Sequence, residues 1–179
     1  MRVVTVSRRE DADVAGDASN ETIVRRAIDL AGSLGSIRLL VNSAGSGTFA
    51  PAGGYDEESV RRMLDANLVA MILFCDALFP RFARNGGTIV NILSTAALHA
   101  RAGESVYAAS KWGARGYTEV LKSEAKGTKA RVLSVSPGGM QTPFWPEERV
   151  GYMDARGVAE TIVEAIESPV KITDLVIER

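Results

Sequence analysis

Five short runs rich in Val, Ile and Leu, at residues 3–6, 37–41, 88–92, 131–135 and 172–177, recur along the chain with stretches of helical period between them. Runs this apolar suit strands covered on both sides, and strands that alternate with helices close into a parallel sheet. The expected fold is therefore α/β: a three-layer α/β/α arrangement with a doubly wound, mostly parallel sheet and helices on both faces. In the first interval Ile23, Val24, Ala27, Ile28 and Ala31 fall on one helix face that Asp17 or Ser19 can cap and Gly35 can end, with a short strand expected before it at 13–15. Residues 57–84 read as one or two helices, 105–125 as another, and 154–166 as a last one with Asp154 as its cap. Long loops at 42–56 and 136–151 leave the carboxyl ends of strands, where open parallel sheets hold their ligands. No repeat, low-complexity tract or linker interrupts the pattern, so residues 1–179 are expected to form a single domain.

Composition narrows the function classes. Lys plus Arg at 21 against Asp plus Glu at 22 leave a net charge of -1, so no partnership with nucleic acid is expected. The strongly apolar stretch at 68–75 stops at Asp76, short of the ~20 residues that span a bilayer, and no membrane role is expected. The start, Met1-Arg2-Val3-Val4, has no signal-peptide layout. Cys75 has no partner for an intramolecular disulfide, and one His with one Cys builds no common zinc site, so no metal is expected and the cytoplasm is the natural compartment.

Chemistry concentrates at Tyr107-Ala108-Ala109-Ser110-Lys111, where an i, i+4 spacing puts a phenol and an ammonium on one helix face. A fixed positive charge favours phenolate and lowers a pKa that is ordinarily ~10, which makes a usable acid and base near neutral pH. A Tyr and a Lys four apart are common on solvated helices, so the context decides. Thirteen residues before Tyr107, Ser94 ends the run Gly87-Thr88-Ile89-Val90-Asn91-Ile92-Leu93-Ser94, and Asn67 lies 27 residues before Ser94. The run Leu39-Leu40-Val41 leads into Asn42-Ser43-Ala44-Gly45, and Val135 leads into Ser136-Pro137-Gly138-Gly139-Met140-Gln141-Thr142. In order and spacing these elements resemble the short-chain dehydrogenase/reductase family, with its Asn-Asn-Ala-Gly, Asn, Ser, Tyr-x-x-x-Lys and Pro-Gly-x-x-x-Thr landmarks.

The resemblance covers essentially the whole chain and implies a Rossmann-type fold with a nicotinamide cofactor. It implies that Tyr107 exchanges a proton with the substrate oxygen while hydride moves to or from the nicotinamide. Lys111 would hold the nicotinamide ribose and lower the Tyr107 pKa, Ser94 would bond the substrate oxygen, and Asn67 would anchor a water-linked proton path. Asn42, Ala44, Gly45, Pro137, Gly138 and Thr142 would border the cofactor. Read alone, Asn67 is equally a buried amide joining helix to loop, and Ser94 a turn hydroxyl. The family also opens with a strand and a Thr-Gly-x-x-x-Gly-x-Gly turn that cradles the pyrophosphate, and no such segment precedes Val3. On this count residues 3–7 match the family's second strand, the first strand and helix, roughly 30 residues, are expected to be missing, and the second helix is expected to be cut short, between Arg9 and Asp13. The sheet is then expected to have a gap of ~9.6 Å unless residues 3–7 pair with Leu39 and Leu40 or another chain supplies a strand. Gly45-Ser46-Gly47-Thr48-Phe49-Ala50 imitates a dinucleotide fingerprint, but Pro51, Gly53 and Gly54 follow where a helix would open, so it reads as a loop lining the site.

Ser7-Arg8-Arg9 stands where a ribose-binding acid or a phosphate-binding Arg is decided, with no acid until Glu10. NADP is therefore favoured over NAD, with Arg8 as the main phosphate contact and Arg9 or Ser7 assisting, against the competing reading of two surface arginines. Asp17 matches the adenine-edge aspartate of the family, or caps the next helix. Leu98, His99, Met140, Phe144 and Trp145 are expected to line an apolar pocket for a carbonyl or alcohol substrate. Helices over 68–82 and 106–121 carry enough apolar side chains for a homodimer or homotetramer. The alternative function is a binding or regulatory protein that keeps the fold but has lost cofactor affinity. A serine hydrolase is disfavoured, because no Gly-x-Ser-x-Gly elbow is present.

Overall fold

Ile89 and Val90 are neighbours in sequence and both wholly buried, yet they belong to different cores. Successive side chains of a strand point to opposite faces, so a strand buried on both sides needs a helix layer on each. In the computed structural model, which describes residues 2–179, that strand is β4 (Gly87–Ile92). It lies between β3 (Leu39–Asn42) and β5 (Ala130–Pro137), with β8 (Asp174–Ile177) beyond β5, in a sheet of order β3-β4-β5-β8 whose pairings are all parallel. Two short ribbons stand apart from it. One joins β1 (Val6–Ser7) to β2 (Val14–Ala15), and the other joins β6 (Met140–Gln141) to β7 (Met153–Asp154).

The helices are α1 (Glu21–Ser33), α2 (Glu57–Leu64), α3 (Ala70–Asn85), α4 (Ser105–Glu124) and α5 (Ala155–Glu167). On one face of the sheet Met71, Cys75, Leu78 and Phe82 of α3 and Ala114 and Leu121 of α4 pack against Ile89 and Val132. On the other face Ala165 and Ile162 of α5 meet Val90, Leu133 and Val135. Val24 and Ala27 of α1 pack with Val14 and with Phe74 of α3 in a third cluster. The result is the expected doubly wound, Rossmann-type three-layer architecture.

Several boundaries depart from the sequence reading. The expected strand at 3–6 is reduced to Val6–Ser7, and it pairs with β2 rather than with Leu39 and Leu40, because Val4 and Val6 are drawn into the cluster under α1. Residues 9–13 form a turn without a helix. The cap of α1 is neither Asp17 nor Ser19 but Asn20, whose Oδ1 accepts from the Thr22 N–H at 2.8 Å. The short strand near 14 and the Asp154 cap are present as expected. Residues 57–85 form one continuous helical run, long and apolar enough by length and composition alone to cross a bilayer. Here it is a core helix with Met71, Cys75, Leu78 and Phe82 buried against the sheet. Its middle, Asp65–Val69, is a π-helical segment in which the Ala70 N–H reaches back to Asp65 O.

Asn91 is the polar exception inside β4 and is wholly buried. Its Nδ2 donates to Thr118 Oγ1 at 2.9 Å, and its Oδ1 accepts from Asn42 Nδ2 at 2.8 Å, tying β3, β4 and α4 together. Removing it takes from Thr118 Oγ1 its donor and leaves the Asn42 amide with only the weak Cys75 Sγ acceptor. Asn91→Ala should therefore lower unfolding free energy by about 1–3 kcal/mol in urea denaturation, more than its small loss of volume would suggest.

Candidate active site

The carboxyl ends of β1, β3, β4 and β5 open on one side into a cleft of about 1210 Å³. That exceeds the ~300–1,000 Å³ of most small-ligand pockets and leaves room for more than one molecule. Tyr107, Lys111, Ser94 and Asn67 all line it, although 44 positions separate Asn67 from Lys111 in the chain.

The π-helical segment explains how Asn67 arrives there. Widening the helix by one residue turns the Asn67 amide inward, and such segments are frequent at functional sites. Asn67 is 3% exposed. Its Oδ1 accepts from the Ser46 N–H at 2.8 Å, while Nδ2 donates to Ser46 O and to Ser110 Oγ, each at 2.9 Å. Ser110 in turn donates to Tyr107 O at 2.7 Å. Both amide N–H groups are thus spent joining helix, loop and α4. The loop passes so close that a Cβ on Gly45 would sit 3.0 Å from Asn67 Oδ1.

Lys111 is buried with its Nζ donating to Ile92 O at 3.2 Å. Burial lowers its ammonium from the ordinary 10.5 to about 8. The Lys111 Nζ lies 5.9 Å from the Tyr107 ring centroid. The Tyr107 phenol is shifted up rather than down, chiefly by burial, with the Ser94 hydroxyl lowering it and the Glu104 carboxylate raising it. This differs from the expected depression by Lys111, whose Nζ is turned to Ile92 O and stands off from the ring, so that burial and the nearer Ser94 and Glu104 set the phenol instead. Ser94 sits at the exit of β4, where its Oγ accepts from the Ala96 N–H at 3.1 Å.

Of the residues expected to border a cofactor, Ser7, Arg8, Arg9, Asp17, Ala44, Gly45, Pro137, Gly138 and Thr142 line the cleft. Asn42 does not. Its amide is turned into the β3–β4 seam, bonded to Asn91 and 3.3 Å from Cys75 Sγ. Arg9 is paired with the Asp11 carboxylate at the exposed surface, whereas Arg8 forms no salt bridge among the described residues. The Ser19 N–H and hydroxyl hold the Asp17 carboxyl below its usual range, and the Arg8 charge adds to this. Met140, Phe144 and Trp145 line the cleft, but Leu98 and His99 do not, because the 3-10 turn at Thr95–Ala97 carries them past it. Phe49, Tyr152, Arg62, Arg101 and Glu104 also line it and carried no motif that would have singled them out.

Known proteins carry the same framework. The sequence profile described as short chain dehydrogenase matches residues 8–152. The chain belongs to this family. It is 32% identical over 162 residues to a sepiapterin reductase of Chlorobaculum tepidum, which spans 87% of this chain and 66% of that protein's length. Among solved structures, a short-chain dehydrogenase/reductase from Vibrio parahaemolyticus superposes with a TM-score of 0.80 at 32% identity, over 92% of this chain and 76% of that one. A short chain dehydrogenase from Burkholderia cenocepacia in complex with NADP superposes at 0.82 with 28% identity, over 93% and 68%.

The buried lysine makes a testable claim about stability in this short-chain dehydrogenase. Its folded pKa lies below its unfolded one, so between pH 8 and 10 the unfolded chain binds a proton that the folded chain has released. Stability from this group therefore rises with pH across that window. In urea denaturation the stability of the parent minus that of Lys111→Met should grow from pH 8 to 10, and a flat or falling difference contradicts the burial.

Proposed function

We propose that this protein is an oxidoreductase that moves hydride between NADP(H) and a carbonyl or alcohol substrate, with Tyr107 as acid and base. The observation that carries this reading is the meeting of the Tyr107 phenol, the Ser94 hydroxyl and the Lys111 ammonium on one cleft wall. The cleft also fits a dinucleotide. It extends from Ser7 and Arg8 to Thr142, and Lys111 Nζ uses one N–H on Ile92 O, which leaves two donors for sugar hydroxyls. Ser7, Arg8, Asp17, Ala44, Gly45, Pro137, Gly138 and Thr142 would hold the cofactor. When bound, its nicotinamide supplies or accepts the hydride.

Carbonyl reduction builds negative charge on the substrate oxygen. Ser94 Oγ donates to that oxygen, and Tyr107 Oη, which is protonated at neutral pH, delivers the proton. Lys111 holds the ribose with the N–H groups that Ile92 O leaves free. Asn67 is a positioning residue, since its amide fixes the loop and, through Ser110, the Tyr107 backbone. Arg8 takes the 2'-phosphate, for it carries the guanidinium free of a carboxylate partner while Arg9 is held by Asp11. The NADP complex of the Burkholderia relative supports the choice.

The single buried cysteine accords with a cytoplasmic location. Trp112 at 49% exposure and Val120 at 58% leave an apolar stripe on α4 that supports a homodimer or homotetramer, and light scattering at micromolar concentration should find more than monomer.

Tyr107→Phe keeps the ring and removes the proton, so turnover of a carbonyl substrate should fall at least ~100-fold while NADPH affinity stays near that of the parent. A variant that kept parental turnover would refute the acid. Lys111→Met should weaken both turnover and NADPH binding, and Ser94→Ala mainly the chemical step. In a fluorescence titration the parent should prefer NADPH to NADH, and Arg8→Asp should narrow or reverse that preference.

A further inference from the structure

Two loops that share no sequence neighbourhood meet over Tyr107 through aromatic rings alone. From the loop after β3, Phe49 lies edge-on to Tyr107 with centroids 5.5 Å apart and stacks on Trp145 at 5.3 Å with the planes 9° from parallel. From the loop after β5, Phe144 lies 6.0 Å from Tyr107 and 5.0 Å from Trp145, and Tyr152 closes on Trp145 at 5.4 Å. The backbone makes room for these rings. A Cβ on Gly47 would stand 2.4 Å from Phe144 Cζ, and one on Gly139 would stand 2.7 Å from the Tyr152 ring.

The loop carrying Phe144 and Trp145 is pinned at both ends, since β6 pairs with β7 and the Met153 N–H donates to Gly139 O at 2.9 Å. The Phe49 loop is pinned by the Ala50 N–H to Gly103 O at 3.0 Å. The rings are thus a preset wall, and Phe49 still leaves 39% of its surface open. A substrate whose oxygen reaches Tyr107 must carry its carbon substituents within a ring's width of Phe49 and Phe144. The charged groups at this end are of both signs, and Arg179 and Glu178 line the cleft as well. Arg101 and Glu104 line the cleft with opposite signs, Arg62 donates to Thr48 Oγ1 at 3.2 Å beside the Asp56 carboxylate, and Arg149 lies over the Trp145 ring at 5.0 Å.

We propose that Phe49, Phe144 and Trp145 select a flat aryl group on the substrate, so that the preferred pair is an aryl ketone and its benzylic-type alcohol. The proposal rests on the oxidoreductase reading for its reaction but not for its binding surface. Ring edges and faces reward a planar π system over a puckered ring of equal size, and the wall offers both.

The test compares acetophenone with cyclohexyl methyl ketone, which differ in planarity and little in size. With NADPH the parent should show a kcat/KM about tenfold higher for acetophenone, the scale expected of one or two aromatic pairs. Saturation-transfer NMR in the presence of NADPH, a pairing that cannot turn over, should likewise favour 1-phenylethanol over 1-cyclohexylethanol. Phe49→Leu and Trp145→Leu keep apolar volume and remove the π faces, so both preferences should shrink toward equality; an unchanged near-ultraviolet dichroism of the remaining aromatics certifies the fold. Equal handling of the two ketones by the parent overturns the aryl site and leaves the oxidoreductase reading standing. A binding preference without turnover of either ketone keeps the aryl site and counts against the oxidoreductase. Absence of binding to either alcohol overturns the proposal, as does a Phe49→Leu enzyme that is faster on both ketones with their ratio unchanged, because that ring would then be a gate.

Discussion

One buried amide holds the cleft end of this molecule together. Asn67 reaches the N–H and the carbonyl of Ser46 and the hydroxyl of Ser110, so a single side chain joins the helix over the sheet, the loop after β3 and the start of α4. The bond to Ser110 is buried and those to Ser46 are part-buried, and an unmet partner there would cost more than the bond returns in solvent. The π-helical widening at Asp65–Val69 is the local distortion that lets the amide point inward, and α-helix continues on both sides of it.

A second polar seam, through Asn42, Asn91 and Thr118, runs parallel to the first and lies deeper. It fixes β3 against β4 and β4 against α4, which sets the distance between the strand that ends in Ser94 and the helix that bears Tyr107 and Lys111. Side chains on a rigid strand and a rigid helix keep their mutual geometry better than side chains on loops. The loops are left with a different task, and their aromatic rings shape the space in front of the phenol.

Desolvation then sets the electrostatics. The same burial that lowers the Lys111 ammonium to about 8 raises the Tyr107 phenol, so both groups lean toward their neutral forms. Lys111 retains one backbone acceptor, Ile92 O, and Ser94 is the neighbour that draws the phenol back down. This differs from the direct ammonium–phenolate partnership that their i, i+4 spacing suggests.

Much was legible in the chain because local periodicity and spacing carry it. Apolar runs without alternation marked β4, β5 and β8 to within a few residues, and Tyr107, Lys111, Ser94 and Asn67 were identifiable from their order. Side-chain partners were not legible, because they depend on which surfaces meet across long separations. Asn42 faces the seam instead of the cleft, Asn20 rather than Asp17 caps α1, Arg9 is engaged by Asp11, and Phe49 finds Trp145 across nearly a hundred positions. The sequence by itself determined the layers and four residues that come to line one cleft, since burial pattern and residue chemistry are local properties. Only the tertiary structure decided the protonation leanings of Tyr107 and Lys111 and the aromatic wall beside them, since desolvation and ring contacts exist only once distant segments have packed.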